Sequence, residues 1–184
     1  MRCYRMKLNE TQTIYYRRVD TKHWSIYVAA TNKGLCYVGS ANRGMEEMCN
    51  WIEKNRPNAK LIEDWNQVSA YADQLIAYLN EKRKHFDLPL DLAGTVFQEA
   101  VWTALRNIPF GETQTYTNIA ENIGKPKSVR AVGTAIGANP VLMVVPCHRV
   151  ISKRGGMAGY RGGIPMKEKL LKLENSQAAE YFTS

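Results

Sequence analysis

The first third of the chain alternates apolar and polar residues in the rhythm of extended backbone. Thr13-Ile14-Tyr15-Tyr16-Arg17-Arg18-Val19, Trp24-Ser25-Ile26-Tyr27-Val28-Ala29 and Leu35-Cys36-Tyr37-Val38-Gly39 are β-rich runs separated by turn residues such as Asn32-Lys33-Gly34. They predict a small antiparallel sheet. The period then changes. Met45, Met48, Cys49 and Ile52 fall on one helical face, and Val68, Tyr71, Leu75, Tyr78 and Leu79 on another, so both stripes read as helix faces packed into a core. The charged Glu81-Lys82-Arg83-Lys84 and the prolyl Leu88-Pro89-Leu90 read as a connector.

A different pattern begins after Leu92. Thr95-x-x-Gln98 has the form of a capping box, opening a helix that carries Phe97, Val101, Ala104, Leu105 and Ile108 on one side. Pro109-Phe110-Gly111 ends it. A short helix is predicted from about Tyr116 to Ile123, with Thr115 as N-cap and Gly124 just past its end. A four-residue turn, Lys125-Pro126-Lys127-Ser128, leads to a third helix bearing Val129, Val132 and Ile136. The arrangement is a helix-turn-helix candidate. The apolar run Val141-Leu142-Met143-Val144-Val145 then reads as a buried strand leading into Pro146. The predicted architecture is α/β, with an N-terminal sheet-and-helix domain over 1–90. A mainly helical winged helix-turn-helix domain follows over 91–176, with a tail at 177–184.

Composition fits a globular chain: of 184 residues, 45% are hydrophobic and 23% charged, too apolar for a wholly disordered segment. No window approaches 18 consecutive apolar residues, and no apolar stretch follows Met1-Arg2-Cys3-Tyr4-Arg5, so neither a membrane span nor a secretory signal is predicted. The four cysteines show no CxxC spacing, which points to a reducing, cytoplasmic setting rather than a disulfide scaffold. Cys3, Cys36 and Cys49 sit in apolar or amphipathic runs and read as inert core thiols. No pair among Cys3, Cys36, His23 and His85 has metal-ligand spacing, so no bound metal is expected.

Charge narrows the partner. The net charge is +8, and between Lys125 and Lys172 ten basic residues face a single acid, Glu168. So lopsided a window suits a phosphate-binding face, although charge alone does not separate DNA from RNA or an anionic membrane.

The chemistry is concentrated in Pro146-Cys147-His148-Arg149-Val150, which sets a thiol, an imidazole and a guanidinium on successive residues. A free thiol is only slightly ionised near neutral pH, and His148 and Arg149 are placed to supply a base and a positive field. On an extended chain neighbouring side chains point to opposite sides, so His148 would reach Cys147 through a water.

This pentapeptide, with Arg130-Ala131-Val132-Gly133 and Gly137-Ala138-Asn139-Pro140 before it, resembles the methylated-DNA–protein-cysteine methyltransferases, or O6-alkylguanine-DNA alkyltransferases. The resemblance is dense over 94–174, including Phe110-Gly111-Glu112, Tyr116 and the closing Lys167-Glu168-Lys169-Leu170-Leu171-Lys172-Leu173-Glu174. It implies a ribonuclease H-like N-terminal domain and a monomer that needs no cofactor. Such a protein binds alkylated double-stranded DNA through the minor groove and flips the damaged base. It then transfers the alkyl group of O6-alkylguanine, and of O4-methylthymine, irreversibly to Cys147.

The family pattern further implies that Glu174 orients His148, which acts through a water on Cys147, and that Tyr116 donates to ring nitrogen 3 of the leaving guanine. Arg130 would fill the gap in the base stack, and Asn139 would be the hinge before the active-site segment. The loop Met157–Gly163 would wall the pocket with Tyr160 as its aromatic face. The carbonyls of Cys147 and Val150 would hold the exocyclic amine, and the Arg161 main-chain N–H would address O6. Two positions depart from many relatives. Ala158 stands where glycine is common and narrows the pocket, and Arg161 stands where serine is common and makes the pocket mouth more cationic.

Two other readings stay open at this level. A winged-helix regulator would use the same helix-turn-helix with Cys147 as inert core. A non-enzymatic damage sensor would share the scaffold, but such relatives lack the cysteine that Cys147 provides.

Overall fold

In the computed structural model, residues 12–153, 156–157 and 159–175 are described; Cys3, Ala158 and the tail at 177–184 lie outside them. The three alternating runs form β1 (Thr13–Asp20), β2 (Ser25–Thr31) and β3 (Gly34–Val38), joined as antiparallel neighbours. A fourth strand, β4 (Lys60–Glu63), pairs parallel with β1 and completes the order β3-β2-β1-β4. The sequence pattern does not mark β4. Its four residues carry only Leu61 and Ile62 as apolar signal, and both are half-buried at the sheet edge.

The sheet is covered on both faces. Helix α1 (Met45–Asn55) packs Met48 and Ile52 against Ile14, Ala29, Cys36 and Tyr37. Helix α2 (Trp65–Leu79), capped by Asp64, packs Ala72, Leu75 and Tyr78 against the other face. Burial on both sides explains why β3 is buried at every position and loses its alternation.

The outer edge of β3 is not free. Its Leu35 exchanges hydrogen bonds with Pro89 and Asp91 of the connector at 2.9 Å each. Gly34, at φ 150°, gives way to that crossing: a Cβ there would run into the Pro89 carbonyl. Farther along, the Val38 N–H donates to the Pro140 carbonyl at 3.0 Å. One strand therefore ties the N-terminal sheet to the segment leading into Cys147.

In the second half, α3 (Val96–Arg106) opens on the expected Thr95/Gln98 capping box, and α4 (Tyr116–Asn122) on a Thr115/Asn118 box. Helix α5 (Val129–Gly137) follows the turn at 125–128. The Trp102 indole locks α3 to α5 by donating to the Ala135 carbonyl at 2.8 Å. The short strands β5 (Gln114–Thr115) and β6 (Val150–Ile151) pair in parallel, bringing the start of α4 beside the active-site turn. Helix α6 (Ile164–Glu174) closes the described chain. The α/β architecture with a helix-turn-helix second half is as expected. Among the described residues no helix is long and apolar enough to cross a membrane.

One expected element is absent. Val141–Val145 is not a strand: it makes a single bridge, Val38 to Val141, and then turns, with Met143 at φ 68°. Asn139 supplies the hydrogen bonds that a neighbouring strand would have given. Its Oδ1 accepts the Val141 N–H at 2.9 Å, and its Nδ2 donates to the Val145 carbonyl at 2.8 Å. The unbroken apolar run reported burial, which a coiled and an extended segment share.

Candidate active site

Because the preceding segment coils, Cys147 does not sit at a strand end. It opens a 3-10 turn, Cys147–Arg149, closed by the Arg149 N–H donating to the Pro146 carbonyl at 3.0 Å. The turn sends its three side chains to different partners, all of them buried. The Cys147 sulfur, 3% exposed, accepts from Asn139 Nδ2 at 3.0 Å. Burial raises the thiol pKa; the Asn139 hydrogen bond and the charges of Arg161 and Lys167 work against that rise. In the resting protein Cys147 is therefore a thiol, and its reaction calls for a base.

His148 is fully buried, and its Nε2 lies 2.8 Å from Glu174 Oε1. That contact makes Nε2 the protonated nitrogen and leaves the lone pair on Nδ1, which has no hydrogen-bond partner. Burial lowers the His148 pKa although Glu174 pulls it up, so the imidazole is neutral and able to take a proton. Arg149 grips the same carboxylate with two N–H groups, Nε to Oε2 and Nη2 to Oε1, both at 2.8 Å, and its Nη1 donates to the Ile108 carbonyl at 2.6 Å. The guanidinium expected to supply the field at the thiol is thus spent on Glu174. Burial alone would raise the Glu174 pKa, but hydrogen bonds and charge from His148 and Arg149 outweigh it and hold the carboxyl well below its ordinary range. Glu174, which reads from sequence as a solvated helix-end carboxylate, is in fact a buried anion.

A cleft of about 500 Å³ is lined by Tyr116, Arg130, Tyr160, Arg161 and Gly133, Gly137 and Gly159. Four sequence-predicted residues from α4, α5 and the 156–163 loop thus meet around one cavity. Burial first, and then the charge that Cys147 carries when it ionises, raises the pKa values of Tyr116 and Tyr160. The Tyr160 hydroxyl is buried without a hydrogen-bond partner, and its ring meets the His148 ring edge-on, with centroids 6.5 Å apart. Gly162 makes room for the Tyr160 ring: a Cβ there would stand 2.6 Å from it. Arg130 is exposed on α5, whose solvent face otherwise carries Ala131, Thr134, Gly137 and Ala138.

Arg161 corrects an expectation. Its guanidinium does not make the pocket mouth cationic but turns inward, bonding the carbonyls of Asn139, Val38 and Pro140 at 3.0, 2.7 and 3.2 Å. It also pairs with Glu47 of α1 at 3.1 Å and stacks over Tyr37. Val150 is placed beside the turn, and its carbonyl already accepts from Lys167 Nζ at 2.5 Å.

Three contributors escaped sequence reasoning. Tyr78 donates to Glu174 from α2, Glu47 anchors Arg161, and Lys167 is a fully buried lysine whose pKa burial draws down to about 8. Tyr78 lay on a stripe read as core, and its ring is core. Lys167 lies in Lys167-Glu168-Lys169, which resembles a solvated face, and only the helical phase of Met166, Leu170 and Leu171 hints that position 167 turns inward.

Residues 14–92 match the profile of the 6-O-methylguanine DNA methyltransferase ribonuclease-like domain, and residues 96–176 that of its DNA binding domain. The chain belongs to the 6-O-methylguanine DNA methyltransferase family. A curated member of the family, the inducible methylated-DNA–protein-cysteine methyltransferase of Bacillus subtilis, is 51% identical over 91% of this chain and 94% of its own. The Mycobacterium tuberculosis O6-methylguanine methyltransferase crystal structure superposes with a TM-score of 0.74 at 40% identity, covering 89% of this chain and 93% of that one. A structure of the same mycobacterial protein in complex with DNA gives a TM-score of 0.73 at 39% identity, covering 91% and 96%.

Proposed function

We propose that this methyltransferase-family protein repairs DNA by direct reversal, moving the alkyl group of O6-alkylguanine, and of O4-methylthymine, onto Cys147 in one irreversible turnover. The observation that carries the reading is the buried Cys147 thiol held by Asn139, followed in the same turn by a neutral His148 paired with the ionised Glu174, with Tyr116 and Tyr160 coupled electrostatically to the sulfur. A DNA-binding regulator has no use for such a set, and a sensor needs no nucleophile.

The exposed small residues of α5 suit close approach to a minor groove, and the exposed Lys125 and Lys127 suit its phosphates. Arg130 takes the place of the extruded nucleotide, which costs a few kcal/mol to unstack. The flipped base enters beside Tyr160, with the Val150 and Cys147 carbonyls on its exocyclic amine and the Arg161 N–H on O6. His148 Nδ1 takes the thiol proton through a water, and the sulfur attacks the alkyl carbon. The S–C bond forms as the C–O6 bond breaks, and the electron pair leaves on the purine. Tyr116 donates a proton at ring nitrogen 3 of the guanine anion and recovers one from the imidazolium through solvent. The products are neutral guanine and a thioether at Cys147. Division into 1–90, 91–176 and a tail at 177–184, action as a monomer and a cytoplasmic setting complete the proposal.

Cys147→Ser tests it. The hydroxyl is close in size but far less nucleophilic, so labelled methyl on duplex DNA stays on the DNA while DNA affinity is retained. Label appearing on the variant protein would overturn the assignment.

A further inference from the structure

Tyr78 belongs to α2, in the half of the chain that carries neither nucleophile nor helix-turn-helix, yet its hydroxyl ends on the active-site carboxylate. The O–H donates to Glu174 Oε1 at 2.5 Å, and the phenol oxygen stands 3.5 Å from His148 Nε2. The same Oε1 accepts from His148 and from Arg149 Nη2, while Oε2 accepts from Arg149 Nε and, at 3.3 Å, from the Gly111 amide. Five donors thus share a carboxylate that offers about four lone-pair directions, so they compete.

We infer that Tyr78 is a positioning residue for the transfer reaction: by donating to Glu174 Oε1 it holds the carboxylate against His148 and draws off part of its charge, setting the strength of the base. This rests on the function proposed above.

Rigidity supports the role. Tyr78 is fully buried, with its ring between Phe86 (centroids 5.1 Å apart) and Phe110 (6.2 Å, edge-on). The hydroxyl is therefore aimed by packing rather than by the hydrogen bond alone. Burial first, and then the Glu174 charge, holds the phenol well above its ordinary pKa, so it remains a donor across the working range. The other ionisable groups facing these residues are Arg149 on the turn, Lys167 on α6 and Tyr160. Arg149 and Lys167 oppose protonation of His148, and Glu174 favours it. Tyr78 acts on the one group that favours it. Without its hydroxyl, Glu174 directs more of its charge to the His148 N–H, and the imidazole keeps a proton to higher pH.

The test is the imidazole titration of His148, followed by NMR in the full chain and in Tyr78→Phe, with His23→Gln and His85→Gln variants assigning the other two histidines. Methyl transfer from duplex DNA is measured in parallel across about pH 5.5–8.5. Tyr78→Phe keeps the ring, so its His148 midpoint should move up. Its transfer rate should fall roughly three- to tenfold at about pH 6 and less than about twofold at about pH 8. Site-specific 3-fluorotyrosine at position 78, a more acidic phenol and stronger donor, should move the midpoint down, and it decides the matter if the phenylalanine variant does not fold. An unmoved His148 midpoint, with slowing equal at every pH, would show a structural role only and overturn the inference. A wild-type protein that transfers no methyl would overturn the proposed function instead, and the titration would still decide what Tyr78 does to His148.

Discussion

Asn139 Nδ2 lies 3.0 Å from the Cys147 sulfur and 2.8 Å from the Val145 carbonyl, so one amide group holds both the nucleophile and the segment that delivers it. Methylation of the sulfur adds a group to a site only 3% exposed. Overpacking a formed site typically costs about 1–3 kcal/mol. The methylated protein should therefore melt about 3–10 °C below the unmodified one, read by calorimetry before and after reaction. An unchanged melting temperature would show that the site accommodates the product without strain.

Arg161 joins the pocket loop to the N-terminal half through Glu47, Tyr37 and the Val38 carbonyl. Arg161→Ser leaves Glu47 and the carbonyls of Val38 and Pro140 without these partners, at a cost of about 2–4 kcal/mol. Arg161→Lys, which lacks the planar fork, should recover less than about half of that loss. Urea denaturation of the three proteins measures both effects, and a serine variant as stable as wild type would show that the network is dispensable.

The parts of this fold legible in the sequence are those whose pattern is local. Alternation marked β1 to β3, capping residues marked α3 and α4, and Gly124 marked the end of α4, where it lies at φ 68°. The coil at Val141–Val145 is not legible in the sequence, because an apolar run reports burial without period and because its shape depends on the Asn139 side chain. The Cys147–His148–Arg149 turn was conspicuous as residues but not as geometry. Glu174 lies 27 positions beyond Cys147, and only the packing of α6 unites them. Tyr78 and Lys167 were hidden for opposite reasons: an aromatic on a core stripe needs no second role, and a lysine followed by Glu168 and Lys169 predicts solvent.

The Glu174 carboxyl makes a prediction in pH. Its pKa is held below the ordinary 4.5 by His148 and Arg149, against the effect of burial. The folded state thus favours the ionised form, and the stabilisation is full above about pH 4.5 and lost as the pH falls below that toward the lower folded value. Glu174→Gln should cost about 3–5 kcal/mol at neutral pH, because it leaves Arg149 buried without its counter-charge. The gap between the two proteins should narrow as the pH drops from about 5 to about 3. Denaturation at several pH values checks this, and a gap independent of pH would mean that the charge of Glu174 does not stabilise the fold.

The central claim is that Cys147 itself becomes the acceptor of the alkyl group. Incubation with a duplex containing one O6-methylguanine, followed by proteolysis and mass spectrometry, reads it directly. The peptide bearing Cys147 should gain about 14 Da, the mass of a methyl replacing a thiol proton, to an extent stoichiometric with the lesion consumed. The peptides bearing Cys36 and Cys49 should be unchanged. Loss of the lesion with no mass gain on the Cys147 peptide, or the gain on another residue, would contradict the account.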